Sequence, residues 1–231
     1  MKGALVVSVP TTVAGHTVAL KPHLTSSQSA ALYRRFLADT IETTRDIEGV
    51  DFFVAGPPRG GRDFLKGTVP PLFQFIPRSS PDASGHLSAI FRDLFARGYE
   101  YVVLLGGASP DLPTCLLQQG TELLAGAKAD FVIGPSERGG FYLLGLGREC
   151  PALFDRVDWD SPQADGHALR RARSLGLRSC RLPEWYDIID LDDLRRHLTY
   201  YGLRQDAATG YVSLTGRYLL KLQDRIFSPV C

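Results

Sequence analysis

Apolar positions along this chain fall into two alternating patterns. Residues 4–9 (ALVVSV), 51–55 (DFFVA) and 101–105 (YVVLL) are short continuous apolar runs. Such runs predict strands buried on both faces. Between them, apolar residues recur at three and four. The first such stripe is Ala30, Leu32, Tyr33, Phe36, Leu37, Thr40 and Ile41. It predicts a helix capped by Ser26 or Ser27 and running to about residue 48. Helical spacing returns over 87–96, with Gly98 as the stop, and again over 113–125, 163–175 and 190–201. Further strands are expected at 72–76, 131–133, 141–146 and 177–182. The strands at 131–133 and 141–146 are too close for a parallel crossover, so the sheet should be mixed.

Strands alternating with helices predict an α/β fold, a mainly parallel mixed sheet flanked by helices. Residues 1–202 are expected to form one such domain. Residues 203–231 form a C-terminal extension with apolar positions at helical spacing: Leu219, Leu220, Leu222, Ile226 and Phe227. That spacing predicts docking on the domain or, as a homodimer contact, on a second copy.

Composition changes this picture little. The chain has 231 residues, 44% hydrophobic and 22% charged, with a formal net charge of +1. That balance supplies no field to recruit nucleic acid or an acidic membrane, so neither is expected as a partner. Cys115, Cys150, Cys180 and Cys231 lie outside metal-ligand spacing of one another and read as thiols of a reducing compartment. The apolar start is too short for a signal peptide and ends at Pro10. No run reaches the ~18 apolar residues of a membrane span. A cytoplasmic protein is expected. His16, His23, His86, His167 and His197 show no metal-ligand spacing and read as structural or exposed.

In an open α/β sheet, ligands sit at the carboxyl ends of the strands. Three loops are therefore the candidates: the one after Val9, the one after Leu105, and the turn from Gly134 to Gly140. These carry three ordered segments, GGASPDLP (106–113), GPSERGGFYLLG (134–145) and, further on, LPEWYDIIDLDDL (182–194). Their order and spacing resemble a family of GT-A-like transferases often encoded beside radical-SAM genes. That family is related to phospholactate and molybdenum-cofactor guanylyltransferases. The helix ALYRRFLADTIE (31–42) is similar to the family's first helix. The likeness spans residues 4–198.

The resemblance implies a GT-A (nucleotide-diphospho-sugar transferase) fold that binds a nucleotide or nucleotide sugar. It also implies acidic residues that hold a divalent cation against the phosphates. On it, the ligand-binding candidates are Ser8, Thr11, Gly107, Ala108, Ser109, Arg138, Gly139, Gly140 and Tyr142. Asp187 and Asp190 are the catalytic candidates. The family's metal acids, however, fall at Ala108, Arg138 and Ile189, and its basic KTRL stretch falls at Thr17, Val18, Ala19 and Leu20. Pro110, Leu112, Pro113, Gly139, Gly140, Tyr142, Trp185 and Asp187 keep the pattern. No metal ligand set is therefore expected, and Mg²⁺ or Mn²⁺ enters only if Asp187 and Asp190 rescue the site. Three readings stay open: a transferase-like protein without metal-dependent chemistry, a metal-independent transferase with Arg138 in the cation's place, or an oligomeric interaction protein. Asp190 also reads as the cap of the helix that follows it. Arg138 reads equally as a solvated turn residue. Phe141 and Tyr142 alternate along a strand, so one should face the core and the other the cleft.

Overall fold

In the computed structural model, residues 1–9, 23–57, 63, 65–200 and 212–223 are described. Seven strands form one sheet: β1 (Gly3–Ser8), β2 (Val50–Gly56), β3 (Gln74–Pro77), β4 (Tyr101–Gly106), β5 (Phe131–Pro135), β6 (Phe141–Leu146) and β7 (Ser179–Arg181). Its order is β3-β2-β1-β4-β6-β5-β7. β1 pairs in parallel with β2 and β4, and β2 with β3. β6 runs antiparallel to both β4 and β5, which leaves β5 and its parallel partner β7 pointing with the rest. The sheet is thus mixed but mostly parallel, as the spacing of 131–146 predicts.

Both faces of the sheet are covered. Leu5, Val7 and Val9 enter one core with Leu32, Tyr33, Phe36 and Leu37. Ala4 and Val6 enter the other with Leu87, Ile90, Phe91 and Leu94. Alternate residues of β1 therefore point into different cores, and its one polar side chain, Ser8, stands at the carboxyl end. The helices are α1 (Ser26–Thr43), α2 (Ala83–Ala96), α3 (Thr114–Ala125), α4 (Ala164–Ser174), α5 (Leu191–Tyr200) and α6 (Leu214–Lys221). No described helix is long and apolar enough to cross a membrane.

Helix ends differ from the sequence expectation where side-chain caps decide them. α1 is capped by Thr25, not by Ser26 or Ser27. Its hydroxyl accepts the Gln28 N–H, and the Gln28 side chain accepts the Thr25 N–H at 2.9 Å, a reciprocal box. It ends at residue 43 rather than 48, where Thr43 and Thr44 turn their hydroxyls back onto Thr40 O and Ile41 O. α2 starts four residues before its apolar stripe, because Asp82 accepts the Gly85 N–H at 2.7 Å.

Asp39 joins the C-terminal segment to the domain. It lies on the inward face of α1 with 2% of its surface exposed. Its carboxylate accepts the Ser213 hydroxyl at 2.9 Å and the Leu214 and Thr215 N–H groups at 2.8 Å each. One buried charge thus satisfies the orphan donors at the N-terminus of α6 and complements its dipole. The Arg35 guanidinium lies 4.0 Å from the centre of the Tyr218 ring beside it. Residues 212–223 therefore pack on the domain itself. Ile226 and Phe227 lie outside the described residues.

Two predictions follow from this packing. Asp39→Ala leaves three donors unmatched, so the chain should lose about 3 kcal/mol of stability in urea titration; a loss below about 0.5 kcal/mol would contradict the anchoring role. His86 is buried in the first turn of α2, and burial, helped by Arg78, pushes its pKa from 6.5 down to about 4. The folded value lies below the unfolded one, so this contribution is whole above about pH 6.5 and is lost as pH falls towards 4. Up to about 3 kcal/mol should vanish over that window. Comparing the pH–stability curves of the wild type and His86→Leu measures it: the variant should lack this limb.

Candidate functional site

The sheet order reverses between β1 and β4. Their carboxyl ends, Ser8 and Gly106, are register partners and frame the crevice where ligands bind in such sheets. The loop after β4 is shaped by close packing. A Cβ on Gly107 would stand 2.4 Å from the Tyr33 hydroxyl and 2.8 Å from Ser8 O, so only glycine fits. Ala108 presents its carbonyl to the Ile188 N–H at 2.9 Å. Ser109 donates its hydroxyl to Asp187 Oδ1 at 2.6 Å. Next along, Tyr186 donates to Asp111, and His197, fully buried, sets Nδ1 3.6 Å from the same carboxylate. Residues 108–111 and 186–188 are therefore bound to each other rung by rung.

The turn between β5 and β6 meets the same strap. Trp185 N–H donates to Pro135 O, and Glu137 N–H to Trp185 O at 3.0 Å. Gly139 (φ 92°) has no room for a Cβ, which would fall 2.3 Å from the Pro162 backbone. Arg138 projects to the start of α5 and donates to Asp190 Oδ2 at 2.5 Å and to Asp193 Oδ1 at 2.9 Å. Asp190 and Asp193 also cap each other's helix end. Asp190 Oδ1 accepts the Asp193 N–H at 3.1 Å, and Asp193 Oδ2 accepts the Asp190 N–H at 3.1 Å. Glu137 receives the Arg196 fork at 2.6 and 3.0 Å, and that guanidinium lies 4.2 Å from the centre of the Tyr186 ring.

These environments separate the carboxylates. Burial raises the pKa of Asp187, with the Asp193 charge adding to it and the Ser109 and Ser136 hydroxyls opposing it. Burial likewise raises Asp193, against the hydrogen bonds from Ile189 and Asp190 and the pull of Arg138. Arg138 holds Asp190 below the usual carboxylate range.

Comparison with known proteins places this geometry. A family model for DUF2064, uncharacterized proteins conserved in bacteria, matches residues 40–161, just over half of the chain. The chain belongs to the DUF2064 family. A structure from Desulfovibrio desulfuricans G20, proposed to be a nucleotide-diphospho-sugar transferase, is 24% identical and covers 98% of each chain with a TM-score of 0.82. The 4-diphosphocytidyl-2C-methyl-D-erythritol synthase of Anaerococcus prevotii is 10% identical over 86% of this chain and 95% of that one, with a TM-score of 0.58. A CMP:2-keto-3-deoxy-manno-octonic acid synthetase complexed with CTP is 10% identical over 85% of this chain and 96% of that one, at 0.54. At these identities the likeness is one of fold: this DUF2064 chain has the GT-A-like, nucleotide-diphospho-sugar transferase fold that its sequence resembles. No curated protein matches it.

Of the sequence candidates, this DUF2064 member gathers Ser109, Ala108, Arg138, Asp187 and Asp190 around one strap, with Gly139 and Gly140 in the adjoining turn. Ser8 and Gly107 lie at the β1/β4 crevice. Thr11, like residues 17–20, lies outside the described residues. Tyr142 does not face a cleft. β6 sits inside the sheet with both faces covered, so Tyr142 is enclosed in one core and donates to Pro183 O at 2.8 Å. Phe141 packs edge-on to Trp159 at the other. Sequence reasoning missed Asp193, Asp111, Tyr186, His197 and Arg196. Only Asp193 carried a local signal, the three-residue spacing from Asp190 that marks a capping box.

Among the described residues no three His, Cys, Asp or Glu groups are arranged to hold a metal ion. Asp190 and Asp193 are engaged by Arg138 and by backbone N–H groups, and Asp187 Oδ1 accepts the Ser109 hydroxyl. Asp193 has only 6% of its side chain exposed, against 48% for Arg138. Arg138→Ala should therefore strand a buried charge and lower stability by about 2 kcal/mol at pH 8. Protonating that carboxylate relieves the penalty, so the loss should shrink at pH 5. Chemical denaturation of both proteins at the two pH values checks this; a loss independent of pH would mean that the pair is a surface contact only.

Proposed function

We propose that this protein binds a nucleotide or nucleotide sugar over the carboxyl ends of β1 and β4 without a divalent cation. It keeps the transferase scaffold and gives up metal-dependent triphosphate chemistry. The fold supplies the first half of this reading. The crevice stands at the point where the strand order reverses, and Gly107 brings the β4 loop close against β1 there.

The observation that carries the second half is the capture of Arg138 by Asp190 and Asp193 at 2.5 and 2.9 Å. Metal-dependent phosphate transfer needs free carboxylate oxygens facing the phosphates. Here those of Asp190 and Asp193 are turned inward onto a guanidinium and a helix end. The same pairing argues against Arg138 as a ready phosphate ligand, because both branches of its fork are already occupied.

Thermal-shift measurements with UDP, GDP, CDP and ADP, each in EDTA and in Mn²⁺, test the reading. At a hundred times its dissociation constant a bound nucleotide stabilises the fold by about 2.7 kcal/mol. At least one nucleotide should give its full shift in EDTA. A shift that appears only with Mn²⁺ would overturn the proposal and return the chain to metal-dependent chemistry.

A further inference from the structure

α1 sends one side chain to the floor of the β1/β4 crevice. Tyr33 is fully buried, and its ring packs edge-on to Phe36 at 6.2 Å in one of the two cores. A Cβ built on Gly107 would stand 2.4 Å from Tyr33 Oη but 3.5 Å from its Cζ, so the hydroxyl is the end that meets the glycine. The same point lies 2.8 Å from Ser8 O. Helix α1, the end of β1 and the loop after β4 therefore converge on one spot, where the strand order reverses. Burial pushes the Tyr33 hydroxyl well above the usual tyrosine range, so it stays neutral.

We infer that Tyr33 is a positioning residue of the crevice: its hydroxyl sets how close the Gly107 backbone stands to the carboxyl end of β1. The inference rests on the nucleotide reading above and names the group that holds that site in shape. The phenol has no exposed surface, so it touches no ligand and acts through the loop. A tyrosine suits the place on two counts. Its ring is locked by the core, so the oxygen at its far end is a rigid stop. That oxygen is also uncharged, so it sets no negative charge beneath the phosphates of a nucleotide.

Two substitutions disturb this stop in opposite directions. Phenylalanine at 33 keeps the ring and removes the oxygen, which opens a gap under Gly107 into which the loop can settle. Alanine at 107 drives its Cβ into that oxygen and pushes the loop away from α1 and β1. Ala108 is tied on its far side to the Ile188 N–H at 2.9 Å, so either shift strains the strap as well. With the Tyr33 oxygen gone, Cζ at 3.5 Å is an ordinary contact for the new Cβ, and only Ser8 O at 2.8 Å still opposes it. The two changes therefore compensate in part.

Calorimetry with UDP, GDP, CDP and ADP in EDTA tests this on the wild type, Tyr33→Phe, Gly107→Ala and the double variant. For the nucleotide that the wild type binds best, Tyr33→Phe should weaken affinity by about threefold or more. Gly107→Ala should weaken it by about tenfold or more, and its penalty should shrink by about threefold or more in the Tyr33→Phe background. Ile41→Ala trims the same core about two turns along α1. It should lower the melting temperature yet leave affinity within about twofold of the wild type. Melting curves fix a temperature at which the variants compared are folded; where Gly107→Ala is not, Tyr33→Phe against Ile41→Ala decides alone. Three results overturn the positioning role and leave the nucleotide reading standing: a smaller loss in Tyr33→Phe, an equal loss in Ile41→Ala, or the same Gly107→Ala penalty in both backgrounds. A wild type that binds none of the nucleotides overturns the nucleotide reading and the role with it.

Discussion

The carboxyl edge of this protein depends on one pairing, that of Arg138 with Asp193. A carboxylate with 6% of its side chain exposed cannot stay ionised without a partner. Arg138 supplies it from the turn after β5. The capping box of Asp190 and Asp193 then fixes where α5 begins, and Arg196, one turn on, reaches back to Glu137 beside Arg138. Turn and helix are thus crossed twice by charged hydrogen bonds. The strap at 185–190 runs between them and is held in one register. That register is what sets Asp187 against Ser109 and the Ile188 N–H against Ala108 O.

The same physical device recurs on the other side of the molecule. Asp39 meets the N-terminus of α6 as Asp190 and Asp193 meet that of α5, with a carboxylate accepting the unpaired N–H groups of a first turn. The two cases differ in source. α5 carries its own caps, so its start is fixed before it packs. α6 has one local cap, Ser213, whose hydroxyl accepts the Gly216 N–H at 3.0 Å, but the acceptor for its Leu214 and Thr215 N–H groups comes from α1. The first two N–H groups of the C-terminal helix therefore depend on the domain in a way that those of α5 do not.

This contrast also explains what was legible in the sequence. Strands buried on both faces must be continuously apolar, so β1, β2 and β4 stood out within a residue at each end. Asp190 was readable as a cap because its partners are two and three residues away. Helix starts at Thr25 and Asp82 were obscured because neither cap belongs to the apolar stripe that marks its helix. Arg138 could be read only as solvated or ligand-facing. Its actual partners lie 52 and 55 residues along the chain, a separation that no spacing rule addresses. Tyr142 was misplaced because alternation predicts two different faces but not whether a helix covers each. The network of Asp111, Tyr186 and His197 left no local trace, since it joins a loop, a strap and a helix through single side chains.

An arginine at this edge is not a small substitute for a cation. A divalent ion carries twice the charge, takes its oxygens from several directions, and leaves positions open for a phosphate. A guanidinium carries one charge in a planar fork, and here each branch ends on a carboxylate of the same chain. The edge that would face developing charge on a leaving phosphate is therefore net negative.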